Sequence, residues 1–359
     1  MKRLTCALAA VLLCMSAASA YNPPVGGESI YELSSPRQLS TAASTAGGGI
    51  YYVSPESIIV NPALTATEQR IDLNLAYTAL ISTNPLNSSN YGNSFQGAIL
   101  IPFKWAVFTG YMNGTMVPFA EMNLGNSFNF KFGLAKEVTE QINIGINLNT
   151  GVFWGYNTDW DLSANLGFVY SFGDLGFVKD FRFAGSVLNL GKNFTNTTVT
   201  GVRPDKEAGQ FPTICTIKAG AAGLLYANDI IKLGFNADLS FPLCMNAILD
   251  AGLEFSVKDS LYLSVSEKLN LVEMINKDYS FFPKIGLSFR FTFDVKNNEY
   301  LAKNGWSQSE MSASTAYTQL YNSIHAVSAG VDLNLGLKDE TPPEIHIWIG
   351  EEDDTEGAE

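Results

Sequence analysis

The feature that most constrains the fold is a strict alternation of apolar and polar residues over positions 285–296. The apolar members are Ile285, Leu287, Phe289, Phe291, Phe293 and Val295. Between them stand Gly286, Ser288, Arg290, Thr292, Asp294 and Lys296. Because a β-strand directs successive side chains to opposite faces, the segment predicts a strand with one apolar face and one polar face.

The same alternation recurs along the chain. It is found at 71–81, 128–134, 142–149, 231–240, 249–256 and 331–338. Most of these strands run for about ten residues, the length at which a tilted strand crosses a bilayer. The pattern favours a membrane β-barrel. A soluble β-sandwich alternates in the same way with its apolar faces packed inward, and it stays open as the alternative.

The number of strands is predicted from the pattern and from parity. Thirteen strands are expected near 71–81, 94–103, 105–113, 127–135, 141–150, 160–172, 181–190, 213–226, 230–240, 247–257, 261–270, 284–296 and 323–337. Bacterial single-chain barrels have an even number, so we expect a weaker fourteenth strand near Ser312–Leu320. The sequence therefore predicts an all-β, transmembrane antiparallel outer-membrane β-barrel of fourteen strands with an N-terminal plug.

The connections and the two ends of the chain complete this organisation. Short turns are expected on the periplasmic side and longer connections outside. Residues 1–20 combine Lys2 and Arg3, a short apolar run and Ala18-Ser19-Ala20, which predicts a signal peptide. Residues 21–70 are predicted to form the plug (hatch), residues 71–337 the barrel, and the acidic residues 338–359 a periplasmic tail.

Composition excludes several classes of protein. Charged residues make up 16% of the chain, whereas soluble domains carry nearer a quarter. The net charge of -13 argues against nucleic-acid binding, which requires basic patches. No nucleophile–base arrangement or Cys/His cluster of metal-ligand spacing is recognised, so no enzyme activity, cofactor or metal is predicted.

The cysteines and the aromatic residues each leave two interpretations open. Cys215 and Cys244 flank the hairpin centred near Asn228 and should lie near its outer end, where oxidising conditions favour a disulfide; two thiols that are not joined are the alternative. Five aromatic residues near strand ends are expected either in interfacial girdles or as ordinary sheet residues. They are Trp105, Trp154, Tyr156, Trp160 and Tyr262.

Several stretches resemble one family. Asn61-Pro62-Ala63, after a lead rich in Gly, Ser and Ala, resembles the element that ends the N-terminal plug of outer-membrane long-chain fatty-acid transporters (FadL-like). The hairpin from Phe132 to Gly145 resembles a hairpin of that family, and Gly185–Gly191 resembles a strand of its PorV-like relatives. The likeness is diffuse and covers most of the mature chain.

The resemblance implies a function and a site. It implies a fourteen-stranded barrel in which hydrophobic molecules reach an apolar pocket and leave through a gap in the wall after the hatch shifts. It assigns a ligand-binding or gating role to Asn61, Pro62 and Ala63; a simple turn is the alternative, because Asn-Pro often starts turns.

The resulting hypothesis is a bacterial outer-membrane channel for hydrophobic solutes such as long-chain fatty acids. Its expected partners are outer-membrane lipid, hydrophobic small molecules and the barrel-assembly machinery. The alternative is an outer-membrane protein that does not transport, either a secretion-system accessory or a surface-exposed structural or antigenic protein. An apolar pocket beside the hatch would favour the channel, and a barrel filled with polar side chains would favour the alternative.

Overall fold

The computed structural model describes residues 23, 25–41, 44–87, 89–119, 121–122, 124–155, 157–192, 215–278, 281–294 and 308–336. The predicted signal peptide, the acidic tail and Tyr156 lie outside the described residues. Within the described part of the chain, no helix has the length and apolar character needed to cross a membrane.

Fourteen antiparallel strands form a closed barrel, as predicted. The first seven are β1 (Ile71–Ser82), β2 (Tyr91–Pro102), β3 (Val107–Val117), β4 (Gly125–Thr139), β5 (Ile142–Trp154), β6 (Thr158–Leu175) and β7 (Val178–Lys192). The others are β8 (Thr216–Ala227), β9 (Ile231–Phe241), β10 (Ile248–Val257), β11 (Leu261–Asn270), β12 (Lys284–Asp294), β13 (Gln308–Leu320) and β14 (Ile324–Leu335). Each strand pairs with its sequence neighbours, and β1 pairs with β14 to close the sheet.

The fourteenth strand, expected from parity alone, is β13. It pairs with β12 from Gln308 to Tyr317 and with β14 from Glu310 to Leu320. Its local pattern is weak because small or polar residues, such as Thr315, take outward positions where other strands carry large apolar side chains.

The outer face of the barrel is apolar and its inner face is polar. On β12 the outward residues Ile285 and Phe289 are 52% and 51% exposed. Lys284, which precedes Ile285 and faces inward, is buried, and the side chains of β5 that face inward include Asn147 and Asn149. This is the reverse of a soluble sandwich, so the sandwich alternative is excluded and the barrel presents a lipid-facing surface.

Of the four described aromatic residues, three fit the predicted girdles and one does not; Trp154 ends β5 and is 37% exposed. Trp105 lies in the β2–β3 turn and Trp160 near the other end of the barrel, and both are exposed. Tyr262 instead faces the lumen, where its ring centroid lies 4.8 Å from Cζ of Arg290. The girdle prediction is wrong for Tyr262 because Leu263 and Val265 set the opposite parity on β11.

The described residues 26–41 and 44–70, which precede β1, lie inside the barrel. We call them the luminal segment. Its elements are the 3₁₀ turns Gly27–Ser34, Pro55–Ile59 and Pro62–Thr65 and the helix α1 (Pro36–Ser40). Helix α1 begins where Ser35 Oγ accepts a hydrogen bond from Gln38 N, with Pro36 in the first turn. Side chains of the segment such as Ile30, Ile58 and Leu64 are buried and form the core inside the barrel.

Two short elements lie at the end of the barrel opposite Ile71 and Leu335, which we call the outer end because the sequence predicts that the longer connections face outward. Helix α2 (Leu271–Asn276) follows β11, and the 3₁₀ turn Pro242–Cys244 follows β9. Cys215 and Cys244 both lie at this end, and no disulfide joins them in the structure. The Pro242–Cys244 turn leaves Cys244 exposed, whereas Cys215 N donates to the carbonyl of Asn189 on β7.

Candidate functional site

The luminal segment touches the wall at glycines that face inward. Gly145 on β5 and Gly167 on β6 stand opposite each other in register. A Cβ on Gly145 would lie 2.5 Å from the carbonyl carbon of Pro62, and one on Gly167 would overlap Oδ1 of Asn61. Only a glycine admits a second chain this close to the wall.

Glycines on the opposite wall of the barrel also lie in close contact with the luminal segment. A Cβ on Gly234 of β9 would overlap the carbonyl group of Gly49, and one on Gly286 of β12 would overlap Oγ of Ser40. The segment is therefore held between two sides of the barrel at positions that exclude side chains.

Asn61 is the polar centre of the predicted trio. It is fully buried. Its Nδ2 donates to the carbonyl oxygens of Thr45 (2.9 Å) and Phe168 (3.1 Å), and its Oδ1 accepts from Ala63 N (3.0 Å). One side chain thus joins two parts of the luminal segment to β6.

Pro62 and Ala63 complete this contact. Pro62 opens the turn Pro62–Thr65, where its fixed φ suits the first helical position and its missing N–H loses nothing. Ala63 is fully buried. The structure brings the trio together against β5 and β6, and none of the three lines the cavities and the groove described below.

Charged side chains of the wall hold residues 45–50 of the segment. Arg182 of β7 is 2% exposed and donates from Nε to Ala46 O (3.2 Å) and from Nη2 to Gly48 O (2.8 Å). Glu254 of β10 accepts from the N–H groups of Gly49 and Ile50, each at 3.2 Å. These contacts replace water on backbone groups that would otherwise be unsatisfied.

A second anchor is a hydrogen-bond network at β1, β2 and β14. Gln96 Nε2 donates to Glu56 Oε2 (2.7 Å) and to Asn74 Oδ1 (2.6 Å). Asn74 Nδ2 donates to Asp332 Oδ1 (2.6 Å), which also accepts from Ser54 Oγ (3.2 Å). The network is buried and runs from the segment into three strands, so it resists movement of the segment.

Asn61→Ala should loosen the segment from β6. The variant loses the hydrogen bonds to Thr45 O and Phe168 O, which we expect to cost ~1–3 kcal/mol because it leaves buried carbonyls with fewer partners. Thermal unfolding of the detergent-refolded mature chain, followed by circular dichroism, measures this. The exposed Asn90→Ala is the matched control. Equal unfolding temperatures for both variants would contradict the anchoring role of Asn61.

The wall has a weak seam between β11 and β12. Their pairing runs only from Leu261↔Phe289 to Ser266↔Lys284, which is six residue pairs, whereas β5 and β6 share thirteen. Beyond the seam, residues 267–270 of β11 continue beside β10, and residues 318–320 of β13 continue beside β14. We call the gap between these two stretches, at the outer half of the barrel, the lateral window.

A partly apolar cavity lies at the lateral window. Its volume is ≈70 Å³, and Leu33, Leu39, Met122, Phe282 and Leu320 form its apolar lining. Lys268 and Lys284 lie at its edge, and Lys268 forms an ion pair with Glu32 of the segment. The cavity is smaller than the ~150 Å³ that holds a benzene molecule, so a solute can enter only if the lining moves.

Exposed apolar side chains surround the same window. Met274 and Ile275 of α2 are exposed, Ile275 by 70%, and Phe281 is 69% exposed. An apolar surface of this kind beside an apolar cavity is typical of a binding site for hydrophobic molecules.

A separate groove of ≈600 Å³ lies on the lipid-facing side of β4–β6. Leu134, Ile144, Ile146 and Leu166 line it, together with Gly145 and Gly167. The same two glycines therefore have lipid-facing space on one side and Asn61-Pro62 on the other. Because β5 and β6 are fully paired there, the groove does not lead through the wall.

Similar proteins were found among solved structures. No family model matches the sequence, and no curated protein matches it. The toluene transporter TbuX from Ralstonia pickettii is 11% identical, with TM-score 0.52, over 86% of this chain and 100% of that one. The chain has the fold of such hydrocarbon channels.

Two further solved structures have a similar fold. The toluene transporter TodX from P. putida is 11% identical with TM-score 0.52, over 84% of this chain and 99% of that one. A deltaS2 mutant of the monoaromatic hydrocarbon channel TodX is 8% identical with TM-score 0.54, over 86% and 100%. These likenesses, at 8–11% identity, show that the chain shares the fold of these channels.

The resemblance implied a gap in the wall without giving its position, and the inward glycines were not predicted from the sequence. The window depends on how far two neighbouring strands extend, which local alternation does not show. The sequence does carry a pattern from which these glycines could have been found. Two residues after each of Gly145, Gly234 and Gly286 stands an Asn or Ser whose side chain faces inward.

Proposed function

We propose that the protein is a passive channel of the bacterial outer membrane for small hydrophobic solutes, with the luminal segment as its gate. The observation that carries the proposal is the partly apolar cavity at the lateral window, between the segment and the shortest strand pair of the wall. The similar structures are those of toluene transporters and a monoaromatic hydrocarbon channel, which supports the same class of solute.

The position of the apolar surface inside the barrel indicates the route of the solute. The inner face of the barrel is polar along β1, β5 and β9, so an apolar solute gains nothing by crossing the whole lumen. At the window it meets Phe281, Phe282 and Leu320 instead. Sideways passage at this point needs few broken backbone hydrogen bonds, because the β11–β12 pairing has already ended at Ser266.

Long-chain fatty acids are a second candidate class of solute. The observation that favours them is that Lys268 and Lys284 line the same cavity, where an ammonium group would neutralise a carboxylate. The cavity volume of ≈70 Å³ favours the smaller solutes unless the segment moves away.

Toluene uptake by cells that produce the chain in their outer membrane tests the proposal. Leu320→Glu replaces an apolar lining residue by a carboxylate, so we expect uptake at least ~10-fold slower, because an apolar solute must then displace a polar group and its water from the lining. Leu86→Glu is the matched control, since Leu86 is 82% exposed in the β1–β2 connection. The heat-modified gel mobility of both variants checks that the barrel has folded.

Two results would contradict the proposal. Uptake no faster than in cells without the chain, with the barrel folded, would favour a secretion accessory or a structural surface protein. Equal uptake by Leu320→Glu and Leu86→Glu would place the solute path away from the window.

A further inference from the structure

A tyrosine of the luminal segment lies between two arginines. The ring centroid of Tyr52 is 4.6 Å from Cζ of Arg37 and 4.3 Å from Cζ of Arg290. Arg37 belongs to α1 of the segment, whereas Arg290 belongs to β12 of the wall. The Arg290 backbone N–H donates to Ser260 in the β10–β11 turn, so this cluster lies towards the end of the barrel opposite the window.

The two guanidinium groups have few acceptors. Arg37 donates from Nη2 to the carbonyl of Tyr52 (3.1 Å), and Nε of Arg290 is buried without a hydrogen-bond partner. Neither arginine takes part in an ion pair with the described residues. A guanidinium carries five N–H donors and keeps its charge, so these groups lack acceptors that burial normally requires.

A cavity of ≈60 Å³ opens between the two arginines. Six serine and threonine residues on the luminal side line it, namely Ser40, Thr41, Ser264, Ser288, Ser312 and Ser314. One water needs only ~10–15 Å³ of such space, so the cavity has room for a group of several oxygen atoms.

The two carboxylates in the lining are already engaged elsewhere. Glu254 accepts from the N–H groups of Gly49 and Ile50. Asp332 accepts from Asn74 and Ser54. Among the described residues, no ion pair joins Glu254 or Asp332 to a guanidinium, so donors of Arg37 and Arg290 remain available to a ligand in the cavity.

We propose that this cavity binds an oxyanion, a phosphate or a carboxylate, which bridges Arg37 of the luminal segment and Arg290 of the wall. The planar guanidinium groups match the paired oxygens of either anion. A bound oxyanion removes the repulsion between the two cations and joins the segment to β12, so it stabilises the closed position of the segment. The inference rests on this cluster and is independent of the transported solute.

Calorimetric titration of the full mature chain in a neutral detergent tests the proposal, with inorganic phosphate as the probe and chloride at matched ionic strength as the reference. We expect saturable binding of one phosphate per chain. Arg290→Gln and Arg37→Gln should each weaken it at least tenfold. Arg290→Lys, which keeps the charge but loses the planar pair of donors, should weaken it less. Lys232→Gln, at an exposed ion pair with Asp259, is the control and should change nothing.

A second titration with octanoate separates the sources of the anion. Binding of phosphate indicates a free inorganic oxyanion as the ligand, and binding of octanoate alone indicates the carboxylate of an amphiphile. Absence of saturable binding by both probes overturns the proposal. Equal binding by the original chain and by Arg290→Gln also overturns the proposal. This comparison remains decisive if the Arg37→Gln variant does not fold.

Discussion

Gly145→Ala is expected to displace the luminal segment while the barrel stays closed. The added methyl would lie 2.5 Å from the carbonyl carbon and 2.6 Å from the oxygen of Pro62, so the backbone of the segment must move. Overpacking of this kind typically costs ~1–3 kcal/mol. The β5–β6 pairing does not depend on the side chain and should persist. With the segment displaced, the polar lumen should fill with water and conduct ions.

Conductance in planar bilayers and limited proteolysis of the segment measure this result. Gly110→Ala is the matched control, because its methyl would lie 3.4 Å from Ile99 Cγ2, an ordinary contact. We expect higher ion conductance and faster cleavage for Gly145→Ala only. If both alanine variants behave like the original chain, Gly145 does not hold the segment in place.

Arg182→Ala should release residues 46–48 from β7. The side chain contributes two hydrogen bonds from a charged donor to the carbonyls of Ala46 and Gly48, and its Cζ lies 4.6 Å from the Tyr51 ring centroid. Hydrogen bonds to charged groups contribute ~1.5–3 kcal/mol each, so this loss should be among the largest for a single side chain.

Hydrogen exchange of the backbone amides near Ala46–Gly48 measures the release directly. Arg182→Lys keeps the charge but cannot reach both carbonyls with one planar group, so we expect exchange to rise there too, by less. The control is Lys232→Ala, whose exposed ion pair with Asp259 should contribute at most ~1 kcal/mol. Protection that is unchanged in Arg182→Ala would show that other contacts hold the loop.

Most of the barrel could be predicted from the sequence, because lipid imposes a continuous apolar face on nearly every strand. Strand β13 could not be found this way, since its outward residues include Thr315. The girdle prediction was wrong for Tyr262 because a position near a strand end does not determine the face on which a residue lies. That face is determined by the alternation, in which the neighbouring Leu263 faces outward.

The candidate site was only partly predictable. The trio at Asn61 could be found because its residues are adjacent in sequence. The other features join residues that are far apart in the chain. They are the window, the pairing of Gly145 with Gly167, and the Arg37–Arg290 cluster. Such contacts depend on register around the whole barrel, which no local pattern contains.

The position of the luminal segment has a consequence for the order of assembly. Thirteen of the strand pairs are hairpins between sequence neighbours, and only β1 with β14 joins the two ends of the sheet. The segment runs directly into β1, and Arg70, the residue before it, is fixed by Glu68 and by Glu310 of β13. Because the segment is continuous with β1 and bound to β13 at this point, we expect it to fold against the open sheet and to be enclosed when β1 pairs with β14.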